Sequence, residues 1–109
     1  MESFQCMPLA AVVGNEYFCV HGGLSPEIDT VNDVHKIIRF MDDPGEYGPF
    51  CDLMWSDPAK SQRAFKINFA HNNTRGCSYK FGQKPVAKFL ERNCIKSIIR
   101  GHEVQEEGY

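Results

Sequence analysis

The chain has 109 residues, a length typical of one domain, and its 42% hydrophobic and 24% charged residues exclude the fibrous and disordered classes. Its net charge of −2 offers no general attraction to nucleic acid or to an anionic membrane surface, so neither is an expected partner. No apolar run reaches the roughly 18 residues that a membrane-spanning helix needs.

The amino-terminal residues are predicted to form one helix and one strand. Pro8 followed by Leu-Ala-Ala-Val-Val favours a short apolar helix, because proline is tolerated in the first turn of a helix. Gly14 and Asn15 then turn the chain into residues 17–20, a run of β-forming side chains that predicts a largely buried strand. His21 follows directly, at the carboxyl end of that strand.

A second helix is predicted to begin near Thr30, with Asp29 or Thr30 as its cap. Apolar residues then recur at the spacing that places them on one buried helical face. These residues are Val31, Val34, Ile37 and Ile38.

Three segments follow in the middle of the chain. Prolines and glycines in residues 41–50 predict a surface loop, and residues 51–56, Cys-Asp-Leu-Met-Trp-Ser, are interpreted as a short strand. Residues 57–76 have no clear periodicity, which predicts a long, polar and irregular binding loop.

A further helix and strand are predicted near the carboxyl end. Pro85 begins a helix that Asn93 ends, and residues 95–100 form a strand that leads to His102. The helix has an apolar face made of Val86, Phe89 and Leu90. Alternating helices and strands predict an α/β fold, in which ligands bind outside the carboxyl ends of strands. Residues 102–109 contain neither a helix cap nor a closing turn, so we expect the chain to be part of a longer protein.

The five cysteines stand at positions 6, 19, 51, 77 and 94. Their odd number, and the lack of a Cys-x-x-Cys pair, favour reduced and mostly buried thiols over a disulfide framework. The first residues also lack the basic flank and long apolar core of a secretory signal. Together these features predict a soluble protein of the cytoplasm.

His21 and His102 are candidate ligands of one metal ion. Each is placed at the end of a predicted strand, and neighbouring strands lie about 5 Å apart. Glycines beside both histidines, Gly22 and Gly101 among them, would let the backbone turn sharply next to a bound ion. Each histidine could equally be a half-buried loop residue. Two histidines are also too few for a site, because a catalytic zinc ion needs about three protein ligands.

Arg75 and Asp57 are the other candidate site residues. Arg75 lies in the polar loop before a glycine, and its planar guanidinium matches two phosphate oxygens, although it could be an ordinary surface arginine. Asp57 could orient a histidine or an arginine, or could simply form the turn before Pro58. We interpret Trp55 as a core anchor rather than a platform for substrate.

Four segments in this order resemble the phosphoprotein phosphatase family of serine/threonine phosphatases. They are CVHGGLSPEI, YGPFCDLMWSDP, HNNTRGCSYKFG and IIRGHEVQEEGY, and the resemblance covers essentially the whole chain. The pattern is most similar to the calcineurin branch of that family, whose members are regulated by calcium and calmodulin. It implies that residues 1–109 are an incomplete, carboxyl-terminal part of a catalytic domain, a metallophosphoesterase-type β-sandwich flanked by helices.

The resemblance also implies a chemistry and residue roles. Two metal ions, iron and zinc or manganese, would activate a water for attack on phosphoserine or phosphothreonine in proteins. His21 and His102 match two ligands of one metal, and Arg75 matches a phosphate-binding arginine. Asp57 matches an active-site carboxylate that makes no direct metal bond.

The departures from the family pattern lie in what these 109 residues do not contain. The family motifs GDxHG, GDxVDRG and GNHE are missing, and with them the other metal ligands, so at most one incomplete metal site is expected. We therefore expect no phosphatase activity from the chain alone. The segments that bind a calcineurin B-like subunit and calmodulin are missing too, and uncovered apolar faces predict self-association.

Two other functions are compatible with these residues. The chain could be a non-catalytic interaction module that keeps a phosphatase-like surface. Alternatively, it could be a small metal-binding protein in which Cys19 joins His21 and His102.

Overall fold

The computed structural model describes residues 2–41, 43–61 and 66–109. The helices are Glu2–Gln5 (α1), Pro49–Trp55 (α2) and Gln83–Asn93 (α3), with a 3-10 helix at Val31–Lys36. The strands are Ala10–Val13 (β1), Tyr17–Val20 (β2), Asp57–Pro58 (β3), Phe69–His71 (β4), Tyr79–Phe81 (β5) and Ser97–Arg100 (β6). Residue 42 of the predicted surface loop and residues 62–65 of the predicted long loop lie outside the described residues.

The strands form two small sheets. In the first, of order β1-β2-β6, β1 is antiparallel to β2 and β6 is parallel to β2. In the second, of order β3-β5-β4, β3 is parallel to β5 and β4 is antiparallel to it. The mixed α/β class predicted from the sequence is confirmed. None of the described helices is long and apolar enough to cross a membrane.

One apolar cluster joins the two sheets to α2 and α3. Phe18 and Phe89 meet at its centre, with ring centroids 5.0 Å apart. The cluster consists of Phe18, Val20, Leu24, Ile28, Leu53, Phe81, Phe89 and Ile95. Because β2, α2 and β5 all contribute to this cluster, the turns that follow them are held close to one another.

Two predicted elements are wrong in type. Residues 10–13 form β1 rather than a helix, because Gly14 and Asn15, with φ of 60° and 56°, make a tight hairpin turn to β2. Residues 51–55 belong to α2 rather than to a strand. Pro49 occupies the first turn of this helix, where its missing N–H costs nothing, and Leu53 is wholly buried.

Other predictions are confirmed in part. The helix predicted near Thr30 is a 3-10 helix, and Ile38 is exposed, whereas Val31, Val34 and Ile37 pack against the core. Helix α3 begins two residues before Pro85 and ends at Asn93 as predicted. All five cysteines are free, but Cys51 is the buried one, while Cys6 and Cys94 are exposed. The prediction of mostly buried thiols is therefore wrong.

Candidate functional site

The carboxyl ends of two parallel strands bring His21 and His102 together. Val20 of β2 and Arg100 of β6 are register partners, and the Gly101 amide donates a hydrogen bond to the His21 carbonyl at 3.2 Å. The ring nitrogens His21 Nε2 and His102 Nδ1 lie 3.0 Å apart. The predicted convergence of the two histidines is thus confirmed, because adjacent parallel strands end at the same edge of the sheet.

His102 occupies a strained and largely buried position. Its φ is +67°, a conformation that few non-glycine residues adopt, and its side chain is 7% exposed. Its Nε2 is buried without a hydrogen-bond partner within the described part of the chain. Burial and the nearby charge of Arg75 lower the pKa of His102, so its imidazole is neutral at physiological pH.

Trp55 forms one wall of this site. Its ring meets that of His102 edge-on, with centroids 5.4 Å apart, and 38% of the residue is exposed. Its interpretation as a core anchor is therefore wrong: Trp55 is the last residue of α2, and that end of the helix lies beside the histidines.

The two ring nitrogens face each other at a hydrogen-bonding distance, with His21 Nε2 3.0 Å from His102 Nδ1. Two imidazole nitrogens bound at about 2.1 Å to one tetrahedral ion are about 3.4 Å apart, so the rings would need to separate by only about 0.4 Å to serve as two ligands. Within the described ranges, no group of three or more His, Cys, Asp or Glu residues could hold a metal. A site that joins Cys19 to both histidines is therefore not formed there.

Asp57 is the electrostatic centre of the site. The Arg75 Nε and the Asn72 amide each donate to Oδ2 at 2.9 Å, and Arg100 Nη2 donates to Oδ1 at 2.9 Å. Burial alone would raise the pKa of Asp57, but the hydrogen bonds from Arg75 and Asn72 outweigh it and lower the pKa. Asp57 is thus a buried carboxylate with two cationic partners and not merely a turn residue before Pro58.

The carboxylate orients arginines rather than a histidine. His102 Nε2 lies 3.9 Å from Asp57 Oδ1, too far for a hydrogen bond. Arg75, by contrast, is held at three points, since its Nη2 also donates to the His102 carbonyl at 3.1 Å. The Arg75 side chain keeps 25% of its surface exposed, more than the 4% of Asp57.

Three residues of this site were not predicted from the sequence. Arg100, Asn72 and Glu103 lie within the network around Asp57, and Glu103 pairs with both Arg100 and Lys60. Arg100 could have been suspected because it ends the strand that leads to His102. Asn72 offered no such signal, because it is 15 residues from Asp57 along the chain.

Gly22 has a different role from the predicted one. Its φ is not positive, but a Cβ there would lie 2.6 Å from the Met54 carbonyl carbon and 2.7 Å from the Trp55 nitrogen. Its amide also donates to the Leu53 carbonyl at 2.8 Å. Gly22 therefore permits close contact between the turn after β2 and the end of α2.

Comparison with known proteins identifies the family to which this site belongs. Residues 1–106 match the calcineurin-like phosphoesterase family. The chain belongs to that family, as the resemblance of its four motifs predicted.

Two relatives within this family are both serine/threonine phosphatases. The serine/threonine-protein phosphatase 2B catalytic subunit A1 of Saccharomyces cerevisiae is 47% identical over an alignment of 117 positions, which covers 99% of this chain and 21% of that protein. A solved serine/threonine phosphatase of the same yeast, described as similar to human phosphatase PP5, matches with a TM-score of 0.77 at 34% identity. That match covers 95% of this chain and 30% of the solved one. The chain therefore spans about a fifth and just under a third of these relatives.

Proposed function

We propose that residues 1–109 are an incomplete, carboxyl-terminal part of the catalytic domain of a calcineurin-type protein serine/threonine phosphatase. The observation that carries this proposal is the 3.0 Å approach of His21 and His102 beside the Arg75–Asp57 ion pair. The family match and the identity with the yeast phosphatase 2B subunit support it. The whole protein would hydrolyse phosphoserine and phosphothreonine in proteins.

Each candidate residue has a distinct role in this proposal. His21 and His102 would hold one of two metal ions, either iron and zinc or manganese, through the two nitrogens that face each other. Arg75 would bind a phosphate oxygen, and Asp57 would keep its guanidinium turned toward the histidines. The bound metals would supply Lewis-acid stabilisation of the phosphoryl group and lower the pKa of a water.

The same reasoning extends to partners and location. Calcineurin B-like and calmodulin regulators are proposed for the whole protein on the strength of the phosphatase 2B relative. A cytoplasmic location stays a prediction from the cysteine pattern.

The isolated chain is proposed to be inactive. A catalytic metal ion needs about three protein ligands, and the two histidines supply only two of them. The family motifs GDxHG, GDxVDRG and GNHE do not occur in the sequence. Manganese-dependent hydrolysis of p-nitrophenyl phosphate by the purified chain, abolished by a chelator, would contradict this.

A chimera tests the phosphatase assignment directly. This chain would replace the segment of the yeast phosphatase 2B catalytic subunit that it matches, and hydrolysis of a phosphoserine peptide would be measured with manganese. We expect an active chimera. Its His102→Ala and Arg75→Ala variants should lose about 100-fold or more in kcat/KM, because metal binding and phosphate stabilisation act on the same transition state.

A histidine outside the site provides the matched control. His71, at the exposed end of β4, should tolerate His71→Ala with activity unchanged within about 2-fold, as usual for a surface substitution. A folded but inactive chimera, or an active one that is indifferent to His102→Ala and Arg75→Ala, would overturn the proposal.

A further inference from the structure

One side chain touches all three turns that carry the histidines and Asp57. The Arg100 guanidinium donates from Nε to the Gly22 carbonyl, next to His21, and from Nη2 to the Ser56 carbonyl at 3.5 Å, next to Asp57. From Nη1 it donates to Glu103 Oε2 at 2.7 Å, next to His102. Arg100 thus links three segments that are far apart in sequence.

The charges around Arg100 require a cation at this position. Its side chain is 15% exposed, and its Nη2 also pairs with Asp57 Oδ1 at 2.9 Å. Two carboxylates therefore face this guanidinium, Asp57 at Nη2 and Glu103 at Nη1, where the distance to Oε2 is 2.7 Å. A buried carboxylate that loses its partner is strongly disfavoured, so the position of Arg100 constrains both acids.

The shape of the side chain matters as well as its charge. Guanidinium is planar and directs five N–H bonds outward, so one group can meet two carbonyls and two carboxylates at once. A lysine ammonium is a single point with three donors and cannot span the distance between Gly22 and Glu103. Arg100→Lys therefore keeps the charge and removes the bridging geometry.

We propose that Arg100 is a positioning residue that sets the relative orientation of His21 and His102. It does so through groups on either side of the pair, the backbone carbonyl of Gly22 on one and the side-chain carboxylate of Glu103 on the other. The inference rests on the proposed function in assigning those two rings a metal-binding role. Arg100 itself donates hydrogen bonds to residues beside the two histidines, Gly22 and Glu103, rather than to their rings.

The first test reads the histidine rings without any enzymatic assay. Long-range ¹H–¹⁵N correlations of the ¹⁵N-histidine-labelled chain, at a pH well above the ordinary imidazole pKa, report the tautomer and hydrogen bonding of each ring. In Arg100→Lys and Arg100→Gln, the signals of His21 and His102 should move toward those of free neutral imidazole. The signals of His35 and His71, both exposed, should stay in place and serve as an internal control.

Asn93→Ala is the control for a general loss of stability. The Asn93 side chain ties α3 to the 3-10 helix, accepting from the Val31 amide at 2.8 Å and donating to the Asp29 carbonyl at 3.0 Å, away from the site. This variant should destabilise the chain and leave the His21 and His102 signals unmoved. The proposal is overturned if Asn93→Ala moves them as much as Arg100→Gln does, or if Arg100→Gln leaves them unchanged.

A second readout separates positioning from phosphate binding. In the phosphatase 2B chimera, Arg100→Lys should lower kcat by about 10- to 100-fold, with a smaller change in KM for the phosphopeptide. An inactive parent chimera would contradict the proposed function. The ¹H–¹⁵N signals of His21 and His102 would still test the positioning role of Arg100. If both Arg100 variants fail to fold by circular dichroism, Arg100 is required for the fold itself and the positioning role is rejected.

Discussion

Asp57 and Arg75 form a two-point ion pair, with Nε donating to Oδ2 at 2.9 Å and Nη2 to Oδ1 at 3.4 Å. Arg100 completes the arrangement from the other side of the carboxylate, so one buried acid pairs with two cations that belong to different segments. Turns that would otherwise be independent are thereby held together at the edge of the sheet. The pair is a structural element as well as a candidate phosphate site.

Asp57→Asn should destabilise the chain by about 3 kcal/mol, because it removes the carboxylate partner of Arg75 and leaves Arg100 paired with Glu103 alone among the described residues. Urea denaturation measures the change in the free energy of unfolding. Asp29→Asn is the matched control: its partner Lys88 is exposed and 3.4 Å away, so its loss should stay below about 1 kcal/mol. Similar losses in both variants would contradict the central role of Asp57.

The stability of the chain in acid should follow the ionisation of the Asp57 carboxyl group. Because its pKa in the folded chain is below the ordinary 3.8, it contributes stability above that value, and this contribution is lost as the pH falls through the folded pKa. The stability difference between the wild type and Asp57→Asn should therefore shrink in strong acid. A difference that does not change between neutral pH and pH well below 3.8 would show that the carboxylate charge is irrelevant.

The contribution of Asp52 to stability should change with pH in the opposite direction. It is wholly buried and accepts hydrogen bonds from two neutral hydroxyls, Ser25 Oγ at 2.6 Å and Ser78 Oγ at 2.7 Å. Burial raises its pKa, and the two serines only partly oppose this, so its protonated form is favoured by folding. Its stabilising contribution is complete below pH 3.8 and is lost as the pH rises through the folded pKa.

Asp52→Asn should therefore raise the melting temperature at neutral pH, and its advantage should disappear as the pH falls toward 3.8. Asp52→Ala is the contrasting variant, because it leaves two buried hydroxyls unpaired and should cost about 1–3 kcal/mol. Calorimetry across pH measures both. Destabilisation by Asp52→Asn at neutral pH would show that the folded chain needs the negative charge of Asp52, which contradicts the prediction.

The two glycines beside the histidines should respond differently to alanine. A Cβ at Gly22 meets the backbone of α2 within 2.7 Å, whereas the nearest atom to a Cβ at Gly101 is His21 Nδ1 at 3.9 Å. Gly22→Ala should cost about 2–3 kcal/mol from overpacking, and Gly101→Ala should change stability by no more than about 0.5 kcal/mol. Thermal unfolding compares the two, and equal effects would contradict the packing role of Gly22.

Self-association of the isolated chain is expected at its apolar surface. Phe4 and Met7 line a groove of about 420 Å³ that extends to His21, and Phe4 is 73% exposed. Ile38 and Phe40 are 74% and 64% exposed. Exposed apolar area of this kind favours association with a second copy.

Sedimentation velocity over a wide concentration range should show an increasing average sedimentation coefficient. The double variant Phe4→Ser and Phe40→Ser should reduce this increase, while Val104→Ser, which changes a residue that is 98% exposed near the end of the chain, should not. A sharp monomer at every concentration would refute the expectation.

Local patterns in the sequence determined several parts of this structure. Residues 17–20 and 97–100 are β-rich runs followed by His21 and His102, and helix α3 has a clear apolar face and an asparagine stop. Such elements are predictable because side-chain periodicity and turn residues act over a few positions. The order of the four motifs was also enough to indicate the family.

Other parts were decided only by the tertiary structure. Residues 10–13 are apolar enough for either a helix or a strand, and pairing with β2 selects the strand. The contact between Arg100 and Asp57 joins residues 43 positions apart, and that between Asn72 and Asp57 joins residues 15 positions apart. Which polar side chains meet depends on how strands pair and where their turns end. Local sequence periodicity carries no information about such distances.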